Sequence, residues 1–278
     1  MTVGSYAVFG DPIAQSKSPW IHRRFAESLG QPIDYQAIHA PAEQFEQLLA
    51  DFRADGGVGA NITAPLKGIA ATLSTQLSEA AHRAQAVNCL RAGNDGSWYG
   101  DNTDGRGLIA DLDRLQIGLD GARILMIGAG GAARGVLGPI LQRHPERLVL
   151  ANRTLATAQH VAGHLINLGN IEPVELSNLA TLGQFDLLIH ASAAGLGGTG
   201  VSLPPALVDP HSRAYDLSYG AAAGPFLQAA GEVGIAPEHR HDGLGMLVEQ
   251  AAESYLIWRG QRPATDAVLA ELRTLLDT

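Results

Sequence analysis

Of 278 residues only one, Cys89, is a cysteine. No disulfide can form within the chain, which suits a reducing compartment. The opening residues MTVGSYAVFGD lack a basic stretch followed by a long apolar run, so no signal peptide is expected. No segment approaches the roughly 18 uninterrupted apolar residues that span a membrane. The cytoplasm is therefore the expected location, with no membrane partner. Lysine and arginine form no long run and the formal charge is −9, so no nucleic-acid partner is expected. That charge does not exclude a small anionic ligand, because local donors hold an anion against a weak overall field. Repeats of fixed period, low-complexity tracts and linker-like segments are also missing.

What is present is an ordinary globular composition, 46% hydrophobic and 17% charged, long enough for one large domain or two medium ones. Glycine, at 33 residues, gathers at strand ends, as in α/β chains that turn tightly beside a ligand. Two series of strands and helices alternate. The first runs YAVFG, a helix over 18–30, IDYQAIHA, the helix AEQFEQLLADFRA, VGANI, another helical region, then VNCLRAG and SWYGD. Ile21, Phe25 and Leu29 share one helical face. The second series passes through ARILMIGAG, RLVLAN, TAQHVAGHLINL, FDLLIHAS and AYDLSYG. A helix over 104–118 bridges the halves, and the helices GMLVEQAAESYLIWRG and TDAVLAELRTLLD close the chain, positioned to pack back on the first half. The alternation predicts an α/β protein with mostly parallel sheets, in which ILMIG and LLIHA are buried on both faces.

Chemistry is written most specifically in ILMIGAGGAARGVLGPIL. Gly128, Gly130 and Ala133 fit G-x-G-x-x-G/A between a strand and a helix. Such glycines let the backbone approach a pyrophosphate, which the helix N-terminus then meets with N–H donors and a positive dipole. The next strand ends LANRT, with no carboxylate to hold the 2′-hydroxyl of NAD. Asn152, Arg153 and Thr154 instead suit the 2′-phosphate of NADP; the plainer reading is a solvated arginine beside a Thr helix cap.

In the first half, DPIAQSKSPW offers Ser18 as an N-cap ahead of Pro19. Ser16 is free of that duty, and two hydroxyls beside a helix N-terminus make either a carboxylate cradle or only a cap. In NITAPLK, Pro65 marks a helix start with Thr63 or Ala64 as cap, so Lys67 falls in the first turn. A cation is disfavoured at that positive end, which favours the neutral amine and helps proton exchange near neutral pH. Asp104 in GDNTDGRG is its candidate partner, and Asp101 and Asp104 are equally readable as helix caps. Asn88 lies at a strand end, where an amide reads a hydroxyl or shapes a turn.

SKSP, NITAPLK, AVN, DNTDG, GAGGAA, NRT, YDLSYG and DGLGMLVEQA, in this order from residue 16 to 251, resemble the shikimate dehydrogenase family. The resemblance implies reversible reduction of 3-dehydroshikimate to shikimate with NADPH, a step of aromatic amino-acid biosynthesis. It implies an N-terminal α/β substrate domain with a mostly parallel sheet over 1–103, completed by helices over 243–278. A Rossmann-like, doubly wound NADP-binding domain spans 104–242. Lys67 and Asp104 take the catalytic roles; Ser16 and Ser18, assisted by Tyr219, hold the substrate carboxylate; Asn61, Thr63, Asn88 and Gln250 bind the ring. Gly128, Ala129, Gly130, Gly131 and Ala132 cradle the pyrophosphate, Asn152, Arg153 and Thr154 the 2′-phosphate, and Leu217 and Gly243 line the nicotinamide pocket. No metal is implied, and a monomer or homodimer is expected. The alternatives are a quinate/shikimate dehydrogenase of relaxed choice and a non-catalytic sensor of NADP or shikimate; the presence of both Lys67 and Asp104 argues against the sensor.

Three departures stand out. Gln15 occupies a position where the family often has His, and Thr157 one where a second basic residue is common. IHASAAG replaces an Asn-Ala-Thr-Ser pattern, which puts His190 and Ser192 near the cofactor. His160 and His164 have metal-ligand spacing without a third ligand, so they read as a solvated face. EHRHD reads as a polar loop leading to a strand or helix, Cys89 as packed rather than reactive, and Trp20 and Trp258 as core.

Overall fold

The computed structural model describes residues 4–191 and 202–277. The chain divides into two compact units, Met1–Gly107 with Leu247–Thr278, and Leu108–Met246.

The first unit holds β1 (Gly4–Gly10), α1 (Ser18–Leu29), β2 (Ile33–His39), α2 (Phe45–Ala54), β3 (Gly57–Ile62), α3 (Lys67–Leu73), β4 (Gln76–Leu77), α4 (Glu79–Ala84), β5 (Cys89–Ala92) and β6 (Trp98–Asp101). Its sheet order is β2-β1-β3-β5-β6-β4. β1 runs parallel to β2 and β3, whereas β5 is antiparallel to both β3 and β6, so the sheet is mixed. β5 and β6 form a hairpin, a local connection that needs no crossover helix. Ile21 and Phe25 bury the inner face of α1, and Gly30 at φ 62° closes the helix through Gly30 N–H to Glu27 O (3.2 Å) and Gln31 N–H to Ala26 O (2.9 Å).

α5 (Asp104–Arg114) carries the chain out of this unit. It stops short of 118 because Gln116 turns left-handed, at φ 56°. The second unit then alternates β7 (Arg123–Ile127), α6 (Gly131–Leu141), β8 (Arg147–Asn152), α7 (Leu155–His164), β9 (Glu172–Glu175), β10 (Leu187–His190), β11 (Arg213–Asp216), α8 (Gly224–Glu232) and β12 (Arg240–His241). The order is β12-β11-β10-β7-β8-β9, and every pairing among the described strands is parallel. This is a doubly wound sheet whose order reverses at β7, the place where such folds receive ligands at their carboxyl ends. EHRHD contributes β12 rather than loop alone. α9 (Leu244–Arg259) returns the chain to the first unit, where α10 (Asp266–Asp277) joins α1 through Arg24 and Glu271.

Cys89 is fully buried, as its apolar setting predicts, and burial pushes its thiol up to about 12. The tryptophans divide. Trp258 packs on the core cluster of Tyr6, Val8, Ile13 and Tyr35 and donates its indole N–H to Leu90 O at 2.9 Å, whereas Trp20 is only half-buried, with Arg24 over its ring at 6.0 Å.

Candidate active site and cofactor cradle

In the first unit, three helix or strand ends bring polar side chains together. β3 delivers Asn61 and Thr63, the start of α3 delivers Lys67, and the turn after β6 delivers Thr103 and Asp104. Lys67 is the first residue of α3, and its cap position is Leu66 with no side-chain bond, so neither Thr63 nor Ala64 caps the helix. Its Nζ lies 2.5 Å from Asp104 Oδ2, with 19% and 7% of the two side chains exposed. Asp104 does not cap α5 either, because Asn102 Oδ1 accepts its backbone N–H at 3.1 Å. The carboxylate is thereby left for Lys67 and for Asn88 Nδ2, 2.7 Å from Oδ1. Asp101 instead accepts from Ser78 Oγ and from Arg106 (2.8 Å), outside this cluster.

Asn88 is the hub. Its Oδ1 accepts from Thr103 N–H at 2.8 Å, and its Nδ2 faces Asp104, Thr103 Oγ1 (2.9 Å) and Gln250 Oε1 (3.3 Å). Gln250 anchors itself by donating Nε2–H to Leu247 O at 2.8 Å. Gly107 permits this approach of α9, since a Cβ there would stand 2.7 Å from the Gln250 backbone nitrogen. Thr63 fits because Gly10 has no Cβ, which would come within 2.3 Å of Thr63 Cγ2. No hydrogen bond among the described residues takes up the Thr63 hydroxyl.

Asn61 spends its polar atoms on the protein's own groups. Nδ2 donates to Asn88 O (3.2 Å) and Ser254 Oγ (2.9 Å), while Oδ1 accepts from Tyr35 OH (2.8 Å) and His22 Nε2 (3.1 Å). All four of its hydrogen-bonding positions are taken within the protein. His22 stacks on Tyr35 at 4.5 Å, and burial drives its pKa down to about 3. Sequence reasoning missed His22, Thr103 and Ser254. The signal for His22 is its place one turn after Ser18 on the buried face of α1, and that for Thr103 is its place inside DNTDG.

The serines exchange duties relative to the sequence reading. Lys17 stands at the cap position with no side-chain bond, Ser18 is the first helical residue, and Ser16 Oγ accepts the Ser18 N–H at 3.3 Å. The Ser18 hydroxyl reaches the Tyr35 phenol. Gln15 bonds only its own loop, Nε2–H to Pro12 O at 3.4 Å.

In the second unit, β7 ends at Ile127 and the chain turns through Gly128, at φ 107°, into α6. Gly130 is extended and leaves the helix without a side-chain cap, so the first N–H groups of α6 lack a partner of that kind. Cβ positions at Gly130 and Gly131 meet nothing closer than 3.9 Å, and Ala133 is buried against the sheet. These features fit a pyrophosphate: open backbone, free donors, a positive helix end and, beside them, the buried Nε of Arg134 without a hydrogen-bond partner. The pairing of Ile127 with Ala151 sets Asn152 beside this loop. Asn152 Nδ2 closes the turn onto Thr154 O at 3.0 Å; Arg153 is exposed, and Thr154 heads α7 without using its side chain as a cap.

At the carboxyl end of β11, Leu217 N–H donates to His190 O (2.9 Å) and Gly243 N–H to Ser218 O (2.8 Å). His190 Nδ1 lies 2.9 Å from Asp216 Oδ2, and Asp216 Oδ1 accepts Ser218 N–H at 2.7 Å. Tyr219 follows in this unit, its phenol pKa raised by burial. Ser192 lies outside the described residues. His160 and His164 meet only each other, at 3.2 Å, and no group of three metal-ligating side chains forms among the described residues.

A doubly wound dinucleotide-binding unit, together with a lysine–carboxylate pair set among amides and hydroxyls in the other unit, defines the class: a nicotinamide-dependent dehydrogenase. Family comparison sharpens the class. Residues 8–90 match the shikimate dehydrogenase substrate binding domain, 111–196 the shikimate / quinate 5-dehydrogenase model, and 243–273 the shikimate 5′-dehydrogenase C-terminal domain. The shikimate dehydrogenase (NADP(+)) of Psychromonas ingrahamii is 48% identical over 99% of both chains, and that of Aeromonas salmonicida 45% over 98% of both. A solved shikimate 5-dehydrogenase from Thermus thermophilus in complex with NADP(H) and shikimate superposes with a TM-score of 0.84, at 30% identity, over 99% of this chain and 100% of that one. The chain belongs to the shikimate dehydrogenase family.

Proposed function

We propose that the chain interconverts 3-dehydroshikimate and shikimate with NADPH and NADP, in the shikimate pathway of aromatic amino-acid biosynthesis. The observation that carries this reading is the 2.5 Å Lys67–Asp104 pair, held by Asn88 and opened toward ligand by the unused donors of Lys67 and Thr63. The bound nicotinamide supplies or accepts the hydride. Lys67 Nζ donates a proton to the substrate oxygen as charge develops on it in reduction, and takes it back in oxidation. Asp104 orients the ammonium and accepts from the same hydroxyl. Thr63, Asn88 and Gln250 fix the ring, with Asn61 bracing Asn88 from below rather than touching substrate. Ser16 and Ser18 meet the substrate carboxylate, with Tyr219 assisting. Gly128 to Ala132 hold the pyrophosphate, Asn152, Arg153 and Thr154 the 2′-phosphate, and Leu217 and Gly243 border the nicotinamide.

The enzyme works in the cytoplasm as a monomer or homodimer. No helix among the described residues is long and apolar enough to cross a membrane. Initial rates at 340 nm, crossing shikimate and quinate with NADP and NAD, test the reading. Shikimate with NADP is the fastest pair; absence of turnover with that pair overturns it.

A further inference from the structure

We infer that Arg134 is a further cofactor-binding residue, whose guanidinium stands against the pyrophosphate of the dinucleotide. The inference rests on the NADP reading above and goes beyond the glycine loop itself.

Arg134 is the fourth residue of α6, which begins at Gly131. A cation so near a helix N-terminus opposes the macrodipole. The usual relief is a carboxylate in the first turn or a capping side chain, and α6 has neither. Arg134 takes part in no ion pair among the described residues, and its Nε is buried without a hydrogen-bond partner. Arg114, Arg123, Arg143 and Arg147 of this unit each pair with a carboxylate. Arg153, Arg213 and Arg240 form no ion pair among the described residues either, but of these unpaired arginines Arg134 alone lies in the first turn of a helix.

The direction of the side chain matters as much as its lack of a partner. One terminal nitrogen of Arg134 comes within 3.9 Å of the Cβ position at Gly131, so the guanidinium folds back toward the first turn. The free N–H groups of that turn point the same way along the helix axis. The terminal nitrogens of the planar guanidinium carry no hydrogen bond to the described residues, and such a pair matches two oxygens of a phosphate. An anion arriving there meets those nitrogens, the helix donors and the misplaced charge at once. Arg153, at the end of the neighbouring β8, serves a different phosphate on the ribose, so the two arginines divide the work. The first turn of α7, from Leu155 to Ala158, adds no cation.

The division of work is testable by binding alone. NADPH and NADH share the pyrophosphate and differ at the 2′-phosphate. Dissociation constants of both are measured by nucleotide fluorescence on the full chain, for wild type, Arg134→Gln, Arg134→Lys and Arg153→Ala. Arg134→Gln weakens both nucleotides by the same factor, about tenfold or more, as loss of a charge-assisted contact requires. Arg134→Lys recovers part of that loss, and without nucleotide Arg134→Gln melts no lower than wild type. Arg153→Ala weakens NADPH alone. The inference is overturned if Arg134→Gln stays within about twofold of wild type for both nucleotides, a difference too small for a phosphate contact. It is equally overturned if the loss falls only on NADPH, or if Arg134→Lys binds no better than Arg134→Gln. Failure of the cofactor reading looks different: wild type itself binds no NADPH, or Arg153→Ala has no effect.

Discussion

The amide of Asn88 has only one way to point. Thr103 presents a backbone N–H, which demands an acceptor, so Oδ1 must face it and Nδ2 must face Asp104. That orientation holds the carboxylate against Lys67 before any substrate arrives. Lys67→Ala should lower the turnover number by about 10²-fold or more with a smaller change in KM, because proton transfer is lost while ring contacts remain. Steady-state kinetics with a thermal melt checks this; near-normal turnover in a folded variant removes Lys67 from the mechanism. Fold should survive, since Asp104 keeps the Asn88 donor and alanine relieves a cation at the helix start. His22 gives a second residue-level expectation. Its Nε2 must carry the proton, because Asn61 Oδ1 is an acceptor, and its Nδ1 is buried and bare. An unfolded imidazole takes up a proton below about pH 6.5, whereas buried His22 resists until about 3. Between those values the unfolded chain binds more protons, so the stability present above pH 6.5 is lost on acidification. His22→Gln keeps a donor for Asn61 and cannot charge. Its stability relative to wild type, measured in urea, should improve by up to ~1.4 kcal/mol per pH unit from pH 6 to 4. Parallel pH curves for the two proteins would count against this account of His22.

At the scale of elements, two backbones meet where a side chain has no room. A Cβ on Gly243 would stand 2.4 Å from Leu217 O and 3.0 Å from Asp216 O. The start of α9 is thus pressed onto the end of β11, and backbone cannot yield as a flexible side chain does. Gly243→Ala should cost about 1–3 kcal/mol as an overpacked contact, read as a lower melting temperature, and should weaken NADPH binding by displacing Leu217. An unchanged melt and an unchanged NADPH dissociation constant would show that the contact relaxes freely. Elements whose identity is written locally were legible from the sequence. The buried runs of β7 and β10, the amphipathic α1 and the strand–glycine–helix junction at 123–141 follow from spacing and residue type. Less legible were features decided by partners far away in the chain. The antiparallel β5 depends on its hairpin with β6, the capping of α5 falls to Asn102 rather than Asp104, and Ser16 rather than Ser18 takes the N–H at α1. Trp20 looked like core from its helical face, yet it is only half-buried, with an arginine over its ring.

Across the whole molecule, the candidate chemistry is assembled from segments that no single window of sequence contains. Lys67 and Asp104 meet across 37 residues, and Asn88 meets Gln250 across 162. Spacing therefore named candidates, and family resemblance supplied their roles, but the saturation of Asn61 emerged only with Ser254 and His22 in place. The lone cysteine adds a property of its own. Cys89 begins β5, next to Asn88, with no exposed surface and a thiol pushed up to about 12. At neutral pH it is neither accessible nor ionised, so a thiol reagent can reach it only when this unit opens. The chain thus carries one built-in clock for the breathing of its substrate side. Labelling by an aromatic disulfide reagent should be slow in native buffer, slower still with shikimate bound, and complete at once in denaturant. Rapid labelling of the native protein would mean that the wall around Asn88 is looser than its hydrogen bonds imply. A rate unmoved by shikimate would separate that opening from the binding of substrate.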